Sequence, residues 1–584
     1  MHPYRSHTCG ALRASDIGLT VRLSGWLATL RDHGGLLFAD LRDHTGVTQI
    51  VAASGSPTFA LLQGLALESC LVVTGTVRDR GTGRHHPTLA TGAVELVADE
   101  VAILGACEAL PFPVAQETDA PEDVRLAHRF LEMRRAGLQA RLRLRSAVTR
   151  FVRQKMWGLG FDEVQTPILT ASAPEGARDF LVPSRLHPGQ FYALPQAPQR
   201  FKQLLMVGGW DRYFQLATCF RDEDPRADRS ATDFTQIDLE MAFATQEDVF
   251  AVVEDLLGDT FRTFGGRPVD DVWPHIPHAS SLTWYGTDKP DLRCPIRMDG
   301  VEDLFAATPF APFQTALAAG HAIHALPAPR SGRALATKMD AEARLLGLPG
   351  LATLWWKEDG TLGGSLAKTV DAATADALAA RFGLTVGDAL LCAAGPRPTL
   401  LAAMAKLRVS VGKALGLFEE HRFAFAWIVD FPMFEEEDGA IAFAHNPFSL
   451  PQGGMEALDG DPLAVKAYQY DLACNGFELV SGGLRSTDPA CILKAFALAG
   501  YSEADVAAKF GDLTRAFRFG APPHGGCAAG LDRVLMLLTD SANLREVIPF
   551  PTNQRGQDPL LGAPGKVSQK QLDDLGILLA KPAP

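Results

Sequence analysis

The sequence predicts a multidomain α+β protein: an N-terminal β-barrel of the OB type, a mixed α/β domain, and a further domain inserted inside the second. Three observations lead there. The first 108 residues hold five short β-rich runs separated by turns containing Gly or Asp. From Gly160 the chain becomes mixed α/β, with charged residues set into otherwise apolar strand-like segments. Between about Lys289 and Leu417 Ala-rich helical patterns take over, and the charged wording resumes at Phe423–Phe434. At 584 residues, several domains are expected rather than one. The boundaries drawn are 1–108 (barrel), 109–140 (hinge), 141–288 and 418–550 (two parts of the mixed domain), 289–417 (insertion) and 551–584 (C-terminal extension).

The barrel rests on Val21–Ala28, Leu36–Leu41, Val47–Ala52, Leu71–Val77 and Ala93–Val97, whose spacing fits five OB strands. Such barrels often bind single-stranded nucleic acid on a strand face through an aromatic platform. Phe38 is either that platform or core. Leu110-Pro111-Phe112-Pro113 marks a linker. The stretch from about Glu122 to Trp157 reads as helical and is the most basic of the chain, from Arg125 and Arg129 to Arg153 and Lys155. It is either a solvated helix face or an RNA-facing hinge. In the insertion, Ala372–Arg381 reads as a helix, and His321-Ala322-Ile323-His324 as helix or loop filler rather than a metal pair. The Pro- and Gly-punctuated tail after Pro549 is expected to pack over the mixed domain.

Composition excludes several classes. Hydrophobic residues at 47% and charged residues at 21% are ordinary for a soluble globular protein. No apolar run approaches the roughly 18 residues of a membrane span. The N-terminal residues, from His2 to Thr8, include no apolar core of a signal peptide, so a cytoplasmic protein is expected. Nine cysteines lie far apart with no Cys-x-x-Cys pair, which suits reduced thiols and not a zinc site. A formal charge of -13 argues against loose nucleic-acid binding but leaves room for a specific RNA partner on local basic surface.

The chemistry concentrates in two places. One is Phe220-Arg221-Asp222-Glu223-Asp224 followed by Phe234-Thr235-Gln236-Ile237-Asp238-Leu239-Glu240; the other is Gly530-Leu531-Asp532-Arg533. Charge in apolar strands is costly unless it is paired or holds a charged ligand. Two arginines so placed suit a polyphosphate, and the carboxylates beside them suit Mg²⁺ and an amine. Residues two apart share a strand face, so Arg221 pairs with Glu223, and Gln236 with Asp238 and Glu240. Asn475-Gly476 is a two-residue hairpin signal that sets Glu478 opposite Ala473, with Asp471 its diagonal neighbour. Two carboxylates brought together repel unless a cation lies between them, and Mg²⁺ on nucleotide phosphates is the natural one. The alternative is two exposed acids on a surface hairpin. Small residues from Gly525 to Ala529 let a ligand approach the backbone before the apolar helix Val534–Leu538, whose N-terminus favours phosphate. No Walker A string, His-Ile-Gly-His, Lys-Met-Ser-Lys, His-Glu-x-x-His or Gly-x-Ser-x-Gly occurs.

These segments resemble motifs 2 and 3 of the class II aminoacyl-tRNA synthetases, and the wording around them is similar to the bacterial aspartyl-tRNA synthetases. The resemblance runs nearly the whole length. It implies a class II antiparallel-sheet catalytic domain in two parts, a GAD-type α+β insertion, and ATP-dependent attachment of L-aspartate to tRNA. Pro167 looks like the motif 1 proline of a homodimer interface. By the same resemblance Glu175, in a mobile loop, would take the aspartate ammonium. Gln199 and Lys202 would hold the amino acid, with Asp238 on its amine, His445 sensing it and Arg485 on its side chain. Arg221 would grip the aspartate carboxylate and the ATP α-phosphate. Asp222, Glu223, Glu478 and the Gly530, Leu531, Asp532, Arg533 turn would line ATP, and Asp471 and Glu478 would bind Mg²⁺. Three stretches depart from the common pattern: Asn446 after His445, the Leu479–Gly483 run, and Ser230–Asp233.

The resemblance also bears on which tRNA is charged. Phe38, Gln49 and Glu95 match residues that read the anticodon. His33 and Gly83 resemble the non-discriminating form, which aspartylates both tRNA(Asp) and tRNA(Asn) and depends on a separate amidotransferase to finish Asn-tRNA(Asn). The alternatives are a strictly tRNA(Asp)-specific enzyme, with His33 and Gly83 incidental, or a related binding module without charging activity. Asparaginyl- and lysyl-tRNA synthetases share the barrel and core, but Arg485, Lys202 and the insertion argue against both.

Overall fold

The computed structural model describes residues 2–116, 118–172, 177–224, 231–331 and 333–580. They form two compact units, one of 1–145, 224–231 and 543–567, the other of the rest. No helix among the described residues is long and apolar enough to cross a membrane.

The first unit is built on a closed five-stranded barrel of Thr20–Asp32, Leu36–Asp43, Gly46–Ala53, Cys70–Asp79 and Val94–Gly105. Strict alternation closes it. Along Leu36–Asp43 every second residue is buried, so Leu37, Ala39 and Leu41 enter a core shared with Leu23, Ile50 and Leu96. A short helix, Pro57–Gln63, is started by Ser56, whose hydroxyl accepts from the Phe59 N–H at 3.1 Å.

The basic stretch after the barrel forms three helices, Glu122–Ala127, Arg129–Glu132 and Ala136–Gly158, broken where His128 leaves helical geometry. Several of its arginines serve the protein itself. Arg129, 4% exposed, donates to the carbonyls of Arg545, Ile548 and Pro549 and pairs with Glu132. Arg134 lies 4.8 Å over the Trp26 ring and 3.1 Å from Glu68. Arg143 and Arg150 stay exposed. Similar contacts correct the expectation for the tail in part: residues 543–567 group with the first unit, through Arg545–Glu122 and Asn553–Asp123, while the residues after Val567 group with the second.

The second unit centres on an eight-stranded sheet. Its order is His275–Pro277, Phe425–Val429, Gln469–Cys474, Phe477–Leu484, His524–Gly530, Asp233–Ala242, Arg212–Phe220, Asp162–Glu163, antiparallel except at its two edges. Helix Gln246–Phe264 opens on a capping box at Thr245 and buries its apolar stripe on the back of this sheet. Phe250 stacks on Trp427 at 4.0 Å and meets Tyr470 edge-on, while Trp427 donates to Glu254 at 2.8 Å. That packing fixes which face is apolar core and leaves the other face to polar and small residues.

Residues 289–417 carry their own five-stranded antiparallel sheet, in the order Asp299–Gly300, Ala322–Ala328, Ala389–Gly395, Ala352–Trp356, Leu362–Gly363. Helices cover both faces, with Leu326 and Leu391 in one core and Ile323 and Leu390 in the other. His321–His324 is therefore no helix or loop: it runs into the Ala322–Ala328 strand, with His324 fully buried. In the same stretch Arg408, 1% exposed, donates to the carbonyls of Asp291, Cys294 and Ile296 and lies over Tyr285.

Candidate active site

The polar face of the eight-stranded sheet is read from its register. Residues directly opposite one another share a face. One row across five strands is Gln215, Asp238, Ala528, Ser481, Asp471; the next is Tyr213, Glu240, Gly526, Gly483, Gln469. Small residues thus form a trough in the middle, with charged residues at either end. Three strand spacings separate Asp238 from Asp471, about 14 Å.

At one end lies a buried four-charge cluster. Lys202, from helix Gln199–Val207, reaches Asp238 at 2.8 Å and Glu240 at 3.3 Å. Arg485 forks onto Glu240, Nε to Oε1 at 2.8 Å and Nη2 to Oε2 at 3.1 Å. All four are at most 4% exposed. Two cations and two anions balance, which makes so much buried charge tolerable. Burial pushes the Glu240 carboxyl up, but Arg485 and then Lys202 outweigh it and hold it down at about 2. Asp238 differs: burial raises it, and Lys202 only partly offsets that. Its second oxygen has no hydrogen-bond partner among the described residues. Gly526 is required here, since a Cβ would run into the Glu240 carboxylate and the Leu239 carbonyl. His524 adjoins the cluster. Its Nδ1 faces the Pro522 carbonyl at 2.8 Å and so carries the proton, and burial holds the ring neutral.

At the other end, Asn475 and Gly476 both adopt positive φ and fold the hairpin back, with Cys474 opposite Phe477 and Ala473 opposite Glu478. Asp471 is 3% exposed and its Oδ1 has no partner among the described residues. Burial, then the neighbouring Glu478, pushes its carboxyl up to about 8. The pair is therefore not two exposed acids, and an orphaned oxygen beside a second carboxylate fits a divalent cation. No cluster of three or more metal-ligating side chains occurs among the described residues, so the fit is to a metal that brings other ligands with it. Glu478 is flanked by Lys289 at 3.2 Å and by Arg533, which donates to its carbonyl at 2.6 Å.

Other expected site residues fall as follows. Strand Arg212–Phe220 ends at the residue before Arg221, so Glu223 lies in the following loop, while Arg221 continues the alternation of Gln215, Ala217 and Cys219 on the side of the sheet that carries Asp238. Arg221 keeps the loop by donating its N–H to Thr232 at 3.0 Å; its guanidinium lies 5.0 Å over Phe234, and Nε has no partner among the described residues. Asp222 and Glu223 are exposed. Gln199 holds a buried Nε2 with no partner among the described residues. His445 is exposed, edge-on to Phe431. Gly530 precedes helix Leu531–Leu538; Leu531 is core, and Asp532 turns inward to accept from the Thr235 N–H at 3.1 Å. Glu175 lies outside the described residues. Sequence reasoning missed Lys289, which marked only a domain boundary, and counted Glu240 among the polar residues of the Asp238 face without giving it a role of its own.

On the barrel, Phe38 points outward, half-buried, between the core residues Leu37 and Ala39, with His33 edge-on at 5.6 Å. It is therefore outside the core. Gln49 donates to Glu95 at 2.9 Å, and Arg78 holds the other Glu95 oxygen. Gly83 adopts φ +81° in the loop after Cys70–Asp79, where a side chain would be strained.

Comparison with known proteins agrees with this geometry. A family model described as tRNA synthetases class II (D, K and N) matches residues 121–554, and one described as OB-fold nucleic acid binding domain matches 21–104. The chain is 54% identical over 585 aligned residues to an aspartate–tRNA(Asp/Asn) ligase of Cereibacter sphaeroides, covering 99% of each chain. It is 53% identical to a protein of the same name from Paracoccus denitrificans, again with 99% of each covered. Among solved structures, asparaginyl-tRNA synthetase of Pyrococcus horikoshii, complexed with asparaginyl-adenylate, shares the fold at TM-score 0.57 and 18% identity, with 93% of this chain and 97% of that one covered. The chain belongs to the class II aminoacyl-tRNA synthetases.

Proposed function

We propose that this synthetase activates L-aspartate with ATP and transfers it to tRNA, and that it accepts both tRNA(Asp) and tRNA(Asn). The observation that carries the reading is the cluster of Lys202, Arg485, Asp238 and Glu240. It offers convergent buried N–H donors for a side-chain carboxylate, and, for an ammonium, an Asp238 oxygen with no partner among the described residues. An acidic amino acid satisfies both. An amide side chain leaves a buried cation without its charge partner, which costs about 3–5 kcal/mol.

In the first step the aspartate α-carboxylate attacks the ATP α-phosphorus in line, releasing pyrophosphate and leaving aspartyl-adenylate. In the second, the 3′-terminal ribose hydroxyl of tRNA attacks the aspartyl carbonyl, forming the ester as the acyl–phosphate bond breaks and AMP leaves. The protein contributes orientation and charge: Lys202, Arg485, Gln199, Asp238, Glu175 and His445 for the amino acid, Arg221, Glu223 and Arg533 for the nucleotide. Asp471 and Glu478 would hold Mg²⁺ delivered with ATP, which neutralises phosphate charge when bound. The names of the relatives at 54% and 53% identity support dual tRNA use, as do His33 and Gly83. A homodimer formed about Pro167, cytoplasmic residence and dependence on an amidotransferase for Asn-tRNA(Asn) follow from the same reading.

The test is pyrophosphate exchange into ATP with single amino acids. Exchange driven by aspartate, and not by asparagine or lysine, is expected. Equal exchange with asparagine would overturn the assignment of the cluster.

A further inference from the structure

Lys289 is the first residue of the inserted segment, yet its side chain reaches the Asn475–Gly476 hairpin. Its ammonium stands 2.9 Å from Asp288 and 3.2 Å from Glu478. Arg533 holds the other side of Glu478, with its guanidinium 3.6 Å from the carboxylate. In the same hairpin Asp471 keeps a buried oxygen with no partner among the described residues. One carboxylate of the seat assigned above to a divalent cation, Glu478, therefore already has a lysine as ion partner.

We propose that Lys289 is the resident counter-ion of that seat, pairing with Glu478 in the ligand-free enzyme and giving way when the divalent cation arrives with the nucleotide. This rests on the reading of Asp471 and Glu478 as the metal-holding pair. A lysine suits the task because its charge is a point at the end of a flexible stem, able to swing without moving the chain. The chain beneath it is fixed. Arg408 grips the carbonyl of Asp291, Arg422 donates to the carbonyl of Leu292, and Asn475 donates to the carbonyl of Arg422. A Cβ added at the Gly476 turn would come into contact with Asp291. A metal and the Lys289 ammonium beside one carboxylate repel each other, so each weakens binding of the other. The insertion thus supplies one side chain that sets how readily the site takes its metal.

The experiment is a Mn²⁺ titration of the full-length protein without nucleotide, read by electron paramagnetic resonance. It uses the wild type, Lys289→Gln, Lys289→Met, Lys289→Arg and Glu478→Gln, each checked by circular dichroism. Lys289→Gln and Lys289→Met should bind Mn²⁺ about fivefold more tightly than the wild type. Lys289→Arg should match the wild type, and Mg²⁺ should raise the Tm of the two neutral variants more than that of the wild type. Unchanged or weaker Mn²⁺ binding in both neutral variants overturns the proposal. If Glu478→Gln loses Mn²⁺ binding while the neutral variants match the wild type, only the Lys289 role is wrong. If Glu478→Gln binds Mn²⁺ and ATP as the wild type does, the metal-holding pair itself is misassigned and the proposal falls with it.

Discussion

Arg485→Leu separates the structural from the functional side of the charge cluster. The substitution removes two hydrogen bonds to Glu240 and one to the Gly526 carbonyl. Glu240 is fully buried, so its carboxylate is left with Lys202 at 3.3 Å, and Lys202 already serves Asp238. Breaking a buried pair by removing one partner costs about 3–5 kcal/mol. A typical domain has about 5–15 kcal/mol to lose, so the variant should fold but melt early. The same loss denies the substrate carboxylate its partner; at about 1.4 kcal/mol per factor of ten, aspartate-dependent pyrophosphate exchange should fall a hundredfold or more. Urea unfolding and exchange are then compared with Arg485→Leu/Glu240→Leu. Replacing both partners of a buried pair by apolar residues is often neutral, so the double variant should recover much of the stability and none of the activity. Full exchange in the single variant would refute the substrate role. Stability losses that simply add in the double variant would refute the coupling.

Three further outcomes are expected. Gly526→Ala should destabilise by about 1–3 kcal/mol in urea unfolding, because its methyl displaces Glu240. Phe38→Ala should leave aspartate-dependent exchange unchanged while raising the KM for tRNA by an amount equivalent to about 1–3 kcal/mol, since it removes an outward aromatic from the barrel. His324 and His524 are held neutral by burial, with pKa values below the ordinary 6.5. The unfolded chain therefore takes up protons first as pH falls, and this stabilisation is present above 6.5 and lost below it. The Tm should drop between pH 7 and pH 5, and the double substitution to Gln should flatten the drop.

The barrel was legible because its strands alternate: one face is core and one is wet, and Leu37, Ala39 and Leu41 declare the period. The hairpin at Asn475-Gly476 was legible because that turn admits few other sequences. The inserted sheet was not. Strands Ala322–Ala328 and Ala389–Gly395 are buried on both faces and carry three alanines each, so neither alternation nor β-propensity marks them. Arg221 and Glu223 were placed on a strand because spacing by two fits; where a strand stops depends on its neighbours, which local sequence does not carry. The hinge arginines misled for a similar reason. The carbonyls that Arg129 binds lie more than 400 residues away in the chain. Lys289 gave no local signal because its partner Glu478 is distant in sequence and joined to it only by the fold.

The most direct measurement is charging of purified tRNA(Asp) and tRNA(Asn), in separate reactions, with labelled aspartate and ATP. Comparable charging of both is predicted. Charging of tRNA(Asp) alone would contradict dual use and leave His33 and Gly83 as incidental residues, and charging of neither would contradict the synthetase reading itself.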